Sequence, residues 1–306
     1  VFEGAFALRL ERVRKASRTS IRLVTISAVV MFAGTAGAVR LLLGTEWEIA
    51  LLIGALLVAT GPTVITPILE VVRVRDHVAT ALETEGIVND VTAAIVAVVL
   101  FETLLLDDLG VPATVFSFVE RLGVGVLAGV VATGLIHYLL NSDLVPERDV
   151  QAGQFLVLAA AVGAFAAAEA VAAEAGIAAA ATSGMLLGNL EITNKEEIEE
   201  FVGNTTLVVL SFVFISLAAL INVEAIAALG LGAVGLVLVI MLVLRPLGAI
   251  IATAGVERFT WPERLFLAGV GPRGIIPASV ATLFAIELEL AGNVAAGELL
   301  VGTVFA

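Results

Sequence analysis

The stretch Glu85-Gly86-Ile87-Val88-Asn89-Asp90 places two carboxylates and an amide inside an apolar run, about residues 78–105, that is long enough to cross a bilayer. A charged side chain near the centre of a membrane helix costs roughly 2.5–3.5 kcal/mol on insertion scales, so such residues face protein or water and mark a site. Asp90 lies ~18 Å along a helix axis from Val78 at ~1.5 Å per residue, near mid-membrane. Residues five apart differ by about 140° around a helix, so Glu85 and Asp90 are not expected to share a partner, whereas Glu85 and Asn89 lie on nearly one face.

Arg273 is always charged and must be neutralised at depth, as must Glu85, so the two are paired here as a structural bridge. Asp90 is then the free carboxylate, able to hold a proton or a monovalent cation. A hard cation takes oxygen ligands. Desolvation disfavours a charged carboxylate, which sets proton and cation in competition for one group. Asn89 cannot ionise, which favours one proton exchanged for one monovalent cation as long as Glu85 stays paired.

The elements that must position these residues are membrane helices. The chain has 306 residues, 60% of them hydrophobic and 15% charged, with a mean hydropathy of +1.09. Its apolar runs repeatedly exceed the ~18 residues that mark a spanning helix. There is no cysteine, and the two histidines, His77 and His137, are scattered, so thiolate and His-cluster metal sites are excluded. Net charge is −13 with only two lysines, Lys15 and Lys195, a hint of a salty environment. No nucleic-acid partner or cofactor is expected.

Apolar runs at about 22–43, 48–72, 78–105, 121–141, 152–172, 175–190, 205–222, 228–254 and 264–288 give nine complete spans. Residues 111–120 read as an interfacial helix or loop and 191–204 as an amphipathic connector. Twelve of the sixteen basic residues, from Arg9–Arg22 to Arg258 and Arg264, fall in alternate loops. Those loops are cytoplasmic by the positive-inside rule, which makes the chain a multi-pass protein of the plasma membrane. Arg40 and Arg121 lie near span ends and can snorkel; Arg245 and Arg273 lie deep and need partners. Glu83, Glu102, Glu169, Glu174 and His77 read as solvated. Both chain ends fall within apolar segments, so the chain is expected to be a fragment, a membrane transport domain over 1–306 with no soluble domain.

Span 48–72 is interrupted by Thr60-Gly61-Pro62-Thr63 and again at Thr66-Pro67, and span 264–288 by Gly271-Pro272-Arg273-Gly274. Proline removes a backbone donor and disfavours helix in the residue before it. One Gly/Pro-interrupted span in each half is the pattern of inverted-repeat transporters with a midplane site. Thr60, Thr63 and the freed backbone would serve Asp90 at the first break, and Glu3, close to the basic loop, is an accessory cation-site candidate.

These residues resemble the monovalent cation/proton antiporter family of the sodium–proton exchanger type, in its asparagine–aspartate branch and in prokaryotic form. Four segments in order carry the match: Phe2-Glu3-Gly4 before a basic loop, Thr60-Gly61-Pro62-Thr63, Glu85 through Asp90, and Gly271-Pro272-Arg273-Gly274. The resemblance implies an all-α fold of about thirteen helices in two inverted repeats with two discontinuous crossing helices, and a homodimer. It implies ion and proton binding at Asp90 supported by Asn89, a role for Thr60 and Glu3, and pairing of Glu85 with Arg273. Many members carry an aspartate where Gly61 stands and a serine where Gly86 stands. The Thr-Gly-Pro form resembles a subgroup that often has a C-terminal regulatory domain, absent from this chain. The expected activity is electroneutral antiport of Na+ or K+ against H+ by alternating access, serving pH homeostasis; a sodium-coupled symporter and a cation channel or sensor are the alternatives. A channel would show a continuous polar stripe or a carbonyl filter, and the sequence offers one isolated polar site.

Overall fold

The computed structural model describes residues 1–11, 20–106, 111–142, 150–220, 223–271 and 274–305, and every regular element among them is helical. The first seven helices are α1 (Phe2–Ala7), α2 (Ser20–Leu43), α3 (Trp47–Leu56), α4 (Pro62–Val71), α5 (Asp76–Phe101), α6 (Val111–Leu140) and α7 (Val150–Glu169). They are followed by α8 (Ala175–Asn189), α9 (Lys195–Leu220), α10 (Val223–Ala228), α11 (Gly230–Thr253), α12 (Trp261–Gly269), α13 (Ile275–Leu290) and α14 (Val294–Phe305).

Six of these are long and apolar enough to cross a membrane: α2, α5, α6, α7, α9 and α11. The other three expected spans take a different form. Residues 48–72 and 264–288 are each divided into two shorter helices, α3 with α4 and α12 with α13, and 175–190 is the 15-residue α8. Two expectations are corrected. Residues 111–120 are not a separate interfacial element but the first turns of α6, which opens with Pro112 near its start, where a missing N–H costs nothing. Residues 195–204 are the first turns of α9, whose Glu196 and Glu197 suit the positive end of the helix dipole.

The chain forms two compact units, residues 1–14 with 111–214, and residues 15–110 with 215–306. In the first, small residues set the spacing by letting helix backbones approach closely. Gly129 of α6 lies so close to α8 that an added Cβ would meet the Ala179 carbonyl oxygen at 2.7 Å. The C-terminal half of α8 receives α1 in the same way at Gly184 and Gly188, beside the Phe2 and Phe6 carbonyls. Asn189 closes the contact: its Nδ2 donates to the Leu8 carbonyl and its Oδ1 accepts from the Leu10 amide, both at 2.8 Å. Glu169, expected to be solvated, caps α8 instead, accepting from the Glu174 amide (2.8 Å) and the Gly176 amide (3.1 Å).

The second unit is built around α5, the most enclosed of the long helices. Its C-terminal half packs in a core with Ile53 and Leu56 of α3, and Phe101 stacks on Phe284 of α13 with centroids 4.3 Å apart. Its N-terminal half packs with Ile65 of α4 and Leu267 of α12. His77, expected in solvent, is buried in the first turn of α5, edge-on to Phe259 and 3.3 Å from Glu263. Glu263 also meets Arg75 and, with Thr260, forms the capping box of α12, so the starts of α5 and α12 are joined at one carboxylate.

Two predictions follow from the first unit's packing. Gly188→Ala would set a methyl group 2.0 Å from the Phe6 carbonyl oxygen, so it is expected to destabilise by about 1–3 kcal/mol, read as a lower melting temperature in detergent. Glu174, in the α7–α8 connection, is pushed up to about 7 by burial and by the neighbouring Glu169, against the pull of Arg121. Between its ordinary value of 4.5 and 7 the folded state therefore holds a proton that the unfolded chain has lost, and stability falls as pH rises through that window. Glu174→Gln is expected to flatten that part of the melting-temperature profile.

Candidate cation site

The first break is made by Gly61-Pro62. The residue before a proline is driven out of the helical region, and Gly61 is extended at φ −68°, ψ 126°. Pro62 is the first residue of α4, where its missing N–H would have no helical partner anyway. The expected second interruption at Pro67 is not found, since α4 continues through it to Val71. A proline costs the ladder one hydrogen bond to the carbonyl four residues back, and here that does not end the helix.

At the second break α12 stops at Gly269, Val270 is extended, and Gly274 at φ −82°, ψ 174° precedes α13. Pro272 and Arg273 lie outside the described residues. The two breaks meet at Gly61 and Gly274, and Asp90 Oδ1 is beside the contact, 3.4 Å from where a Cβ on Gly274 would stand.

Asp90 and Asn89 sit mid-way along α5, each 2% exposed, and the Oδ1 atom of each is buried without a hydrogen-bond partner. Glu85, one turn earlier on the face of Asn89, is 1% exposed. Glu85 and Asn89 line a cavity of about 370 Å³ with Thr60, Arg245 and otherwise mainly apolar side chains such as Leu236 and Ile240; Asp90 does not line it. Thr60 joins the first break to α5, its hydroxyl donating to the Glu85 carbonyl at 3.4 Å.

Glu85 is paired with Arg245, while Arg273, the partner expected from the sequence, lies outside the described residues. Both carboxylate oxygens are taken: Arg245 Nη1 donates to Oε1 and Nη2 to Oε2, the latter at 2.9 Å. The same guanidinium reaches the second break, where Nε (3.1 Å) and Nη2 (2.8 Å) donate to the Val270 carbonyl at the end of α12. Arg245 follows a single π turn at Ile240–Leu244, the kind of local widening that occurs at functional sites. Gly271 lies alongside it, a Cβ there standing at an ordinary van der Waals distance of 3.5 Å from the Arg245 side chain. The sequence signal was present, an arginine deep in an apolar run before Pro246, but choosing between two deep arginines needs the tertiary contact.

Of the residues expected at the site, the fold thus brings together Asp90, Asn89, Glu85, Thr60, Gly61, Gly271 and Gly274. Glu3 lies on α1 in the other compact unit. The side chains of Pro62, Thr63 and Pro67 fall outside the description. A buried carboxylate with Oδ1 unpartnered and neutral oxygens nearby suits a proton or a monovalent cation. Among the described residues no group of three or more His, Asp or Glu could hold a metal ion.

These features define a multi-pass helical membrane protein with two interrupted helices meeting at a buried carboxylate. The chain belongs to the transmembrane sodium/hydrogen exchanger family, whose model matches residues 1–306, and it is a protein of the plasma membrane. It is 29% identical to the probable Na+/H+ antiporter 2 of Methanocaldococcus jannaschii over 80% of this chain and 60% of that one. Identity to the Na+/H+ antiporter ApNhaP of Aphanothece halophytica is 26%, over 94% of this chain and 57% of the relative. For the K+/H+ antiporter NhaP2 of Shewanella sp. (strain ANA-3) it is 24%, over 92% and 49%. The chain spans three fifths or less of the length of these relatives. In fold it resembles the sodium proton antiporter MjNhaP1 from Methanocaldococcus jannaschii at pH 8, with a TM-score of 0.78, 22% identity, and coverage of 99% of this chain and 77% of that one.

Removing one partner of a buried ion pair strands the other charge, at a cost of roughly 3–5 kcal/mol. Arg245→Ala is therefore expected to lower the melting temperature in detergent sharply. The neutral pair Glu85→Gln with Arg245→Met is expected to melt closer to the wild type than Arg245→Ala alone.

Proposed function

We propose that the chain is the transport region of an antiporter that exchanges a monovalent cation, Na+ or K+, for H+ by alternating access at Asp90. The observation that carries this reading is the Asp90 carboxylate, buried and with Oδ1 unpartnered where the two helix breaks meet. The names of the relatives, Na+/H+ and K+/H+ antiporters, support the same exchange.

A carboxylate in a site of low polarity cannot stay charged without a partner. Asp90 therefore alternates between a bound proton and a bound cation, and either occupant leaves the site neutral. Asn89 helps to orient the occupant without adding a titrating group. Thr60, Thr63 and the open backbone of the first break supply neutral oxygens. Glu85 has both oxygens engaged by Arg245. One titrating carboxylate per site supports one-for-one, electroneutral exchange. The interrupted spans support an inverted-repeat arrangement, and the complete protein is read as a homodimer in lipid.

The test uses full-length protein in proteoliposomes with an imposed pH gradient, internal pH being followed after addition of Na+ or K+. Wild-type protein is expected to move protons on cation addition, insensitive to a clamped membrane potential, and Asp90→Asn to be inactive. Retained exchange in Asp90→Asn removes Asp90 from the mechanism. Below the range in which Asp90 loses its proton, one-for-one competition raises the apparent KM for the cation about tenfold per pH unit; a steeper dependence would mean a second proton.

A further inference from the structure

Gly61 and Gly274 touch backbone to backbone. A Cβ added at Gly274 would lie 2.8 Å from Gly61 Cα and 3.2 Å from Gly61 N. Carbon atoms pack at about 3.5–4.0 Å, so no side chain fits at 274 unless the two breaks part. Neither residue needs to be glycine for its own conformation: both are extended with negative φ, which any residue adopts. At Gly274 the glycine serves the approach alone.

The approach is held from both sides. The Thr60 hydroxyl bonds the Glu85 carbonyl next to the first break, and Arg245 bonds the Val270 carbonyl at the edge of the second. Asp90 Oδ1, buried and unpartnered, stands at the same contact. Cation selectivity is set by the size of the space, the number of ligands and their rigidity. A separation fixed by backbone contact and tied at both ends cannot widen as a shell of water can.

We propose that the Gly61–Gly274 contact is the size gauge of the cation site, holding the Asp90 carboxylate and the open backbone at Thr60 and Gly61 close enough that Na+ is taken in preference to K+. The proposal rests on Asp90 being the cation-binding carboxylate.

Initial rates of cation-driven proton movement are measured for full-length protein in proteoliposomes at a series of Na+ and K+ concentrations. The wild type is expected to show a KM for Na+ at least about tenfold below that for K+. Gly274→Ala and Gly61→Ala are expected to raise the KM for Na+ more than that for K+, narrowing the ratio by at least about threefold. A general loss of packing would raise both equally or lower kcat with the ratio intact, and that result overturns the gauge. Equal KM values, or a preference for K+, in the wild type overturn it even if neither alanine variant folds. Asp90→Asn separates the two claims: exchange that survives it defeats the Asp90 assignment, whereas exchange lost in Asp90→Asn with selectivity unchanged in a glycine variant defeats the gauge alone.

Discussion

The site depends on one guanidinium. Arg245 offers a planar fork of donors, and the fold uses it in two directions, two bonds to Glu85 on α5 and two to the Val270 carbonyl at the end of α12. One side chain thereby neutralises a buried carboxylate and satisfies a carbonyl that the interrupted helix leaves without an intrahelical donor. The contact also agrees with the helix dipole, since a cation is favoured at a helix C-terminus. A lysine could balance the charge but could not serve both partners with fixed geometry.

Backbone freed inside a membrane must be paired within protein or face water, because lipid supplies no partner. The two breaks meet this demand around α5. Thr60 ties the first break to the Glu85 carbonyl, Arg245 ties the second, and the crossing itself closes at Gly61 and Gly274. Further along α5, Phe101 stacks on Phe284 of α13, so α5 and the helix that follows the second break are packed at two levels. The Glu85–Asn89 face and the Asp90 face of one helix can therefore be given separate tasks.

Much of this was legible in the sequence because its causes are local. Glycine before proline predicts where a helix opens, and Gly61-Pro62 does so; angular spacing places Glu85 with Asn89 and apart from Asp90. What was not legible depends on partners distant in the chain. Pro67 looks like Pro62 in a linear reading, yet it falls inside α4, which continues to Val71. Arg245 and Arg273 both lie deep in apolar runs, and the Glu85–Arg245 pair joins residues 160 apart in the chain. Glu169 and His77 look like solvated residues near span ends, and both are committed to capping and ion-pair contacts made by other helices. The start of α6 was misread because a run rich in Phe and Val, short by itself, belongs to a longer helix.

The 15-residue α8 extends only ~22 Å at ~1.5 Å per residue, short of a hydrocarbon layer of about 30 Å. A helix of that length facing lipid would have to thin the bilayer around itself, at a fraction of a kcal/mol for each ångström of mismatch. Here most of its residues are buried among α1, α6 and α7, so little of its surface is left for lipid to meet. Hydrophobic mismatch is thus a property of individual helices that the assembled unit conceals, and an inner helix of this protein is free to be shorter than the membrane is thick.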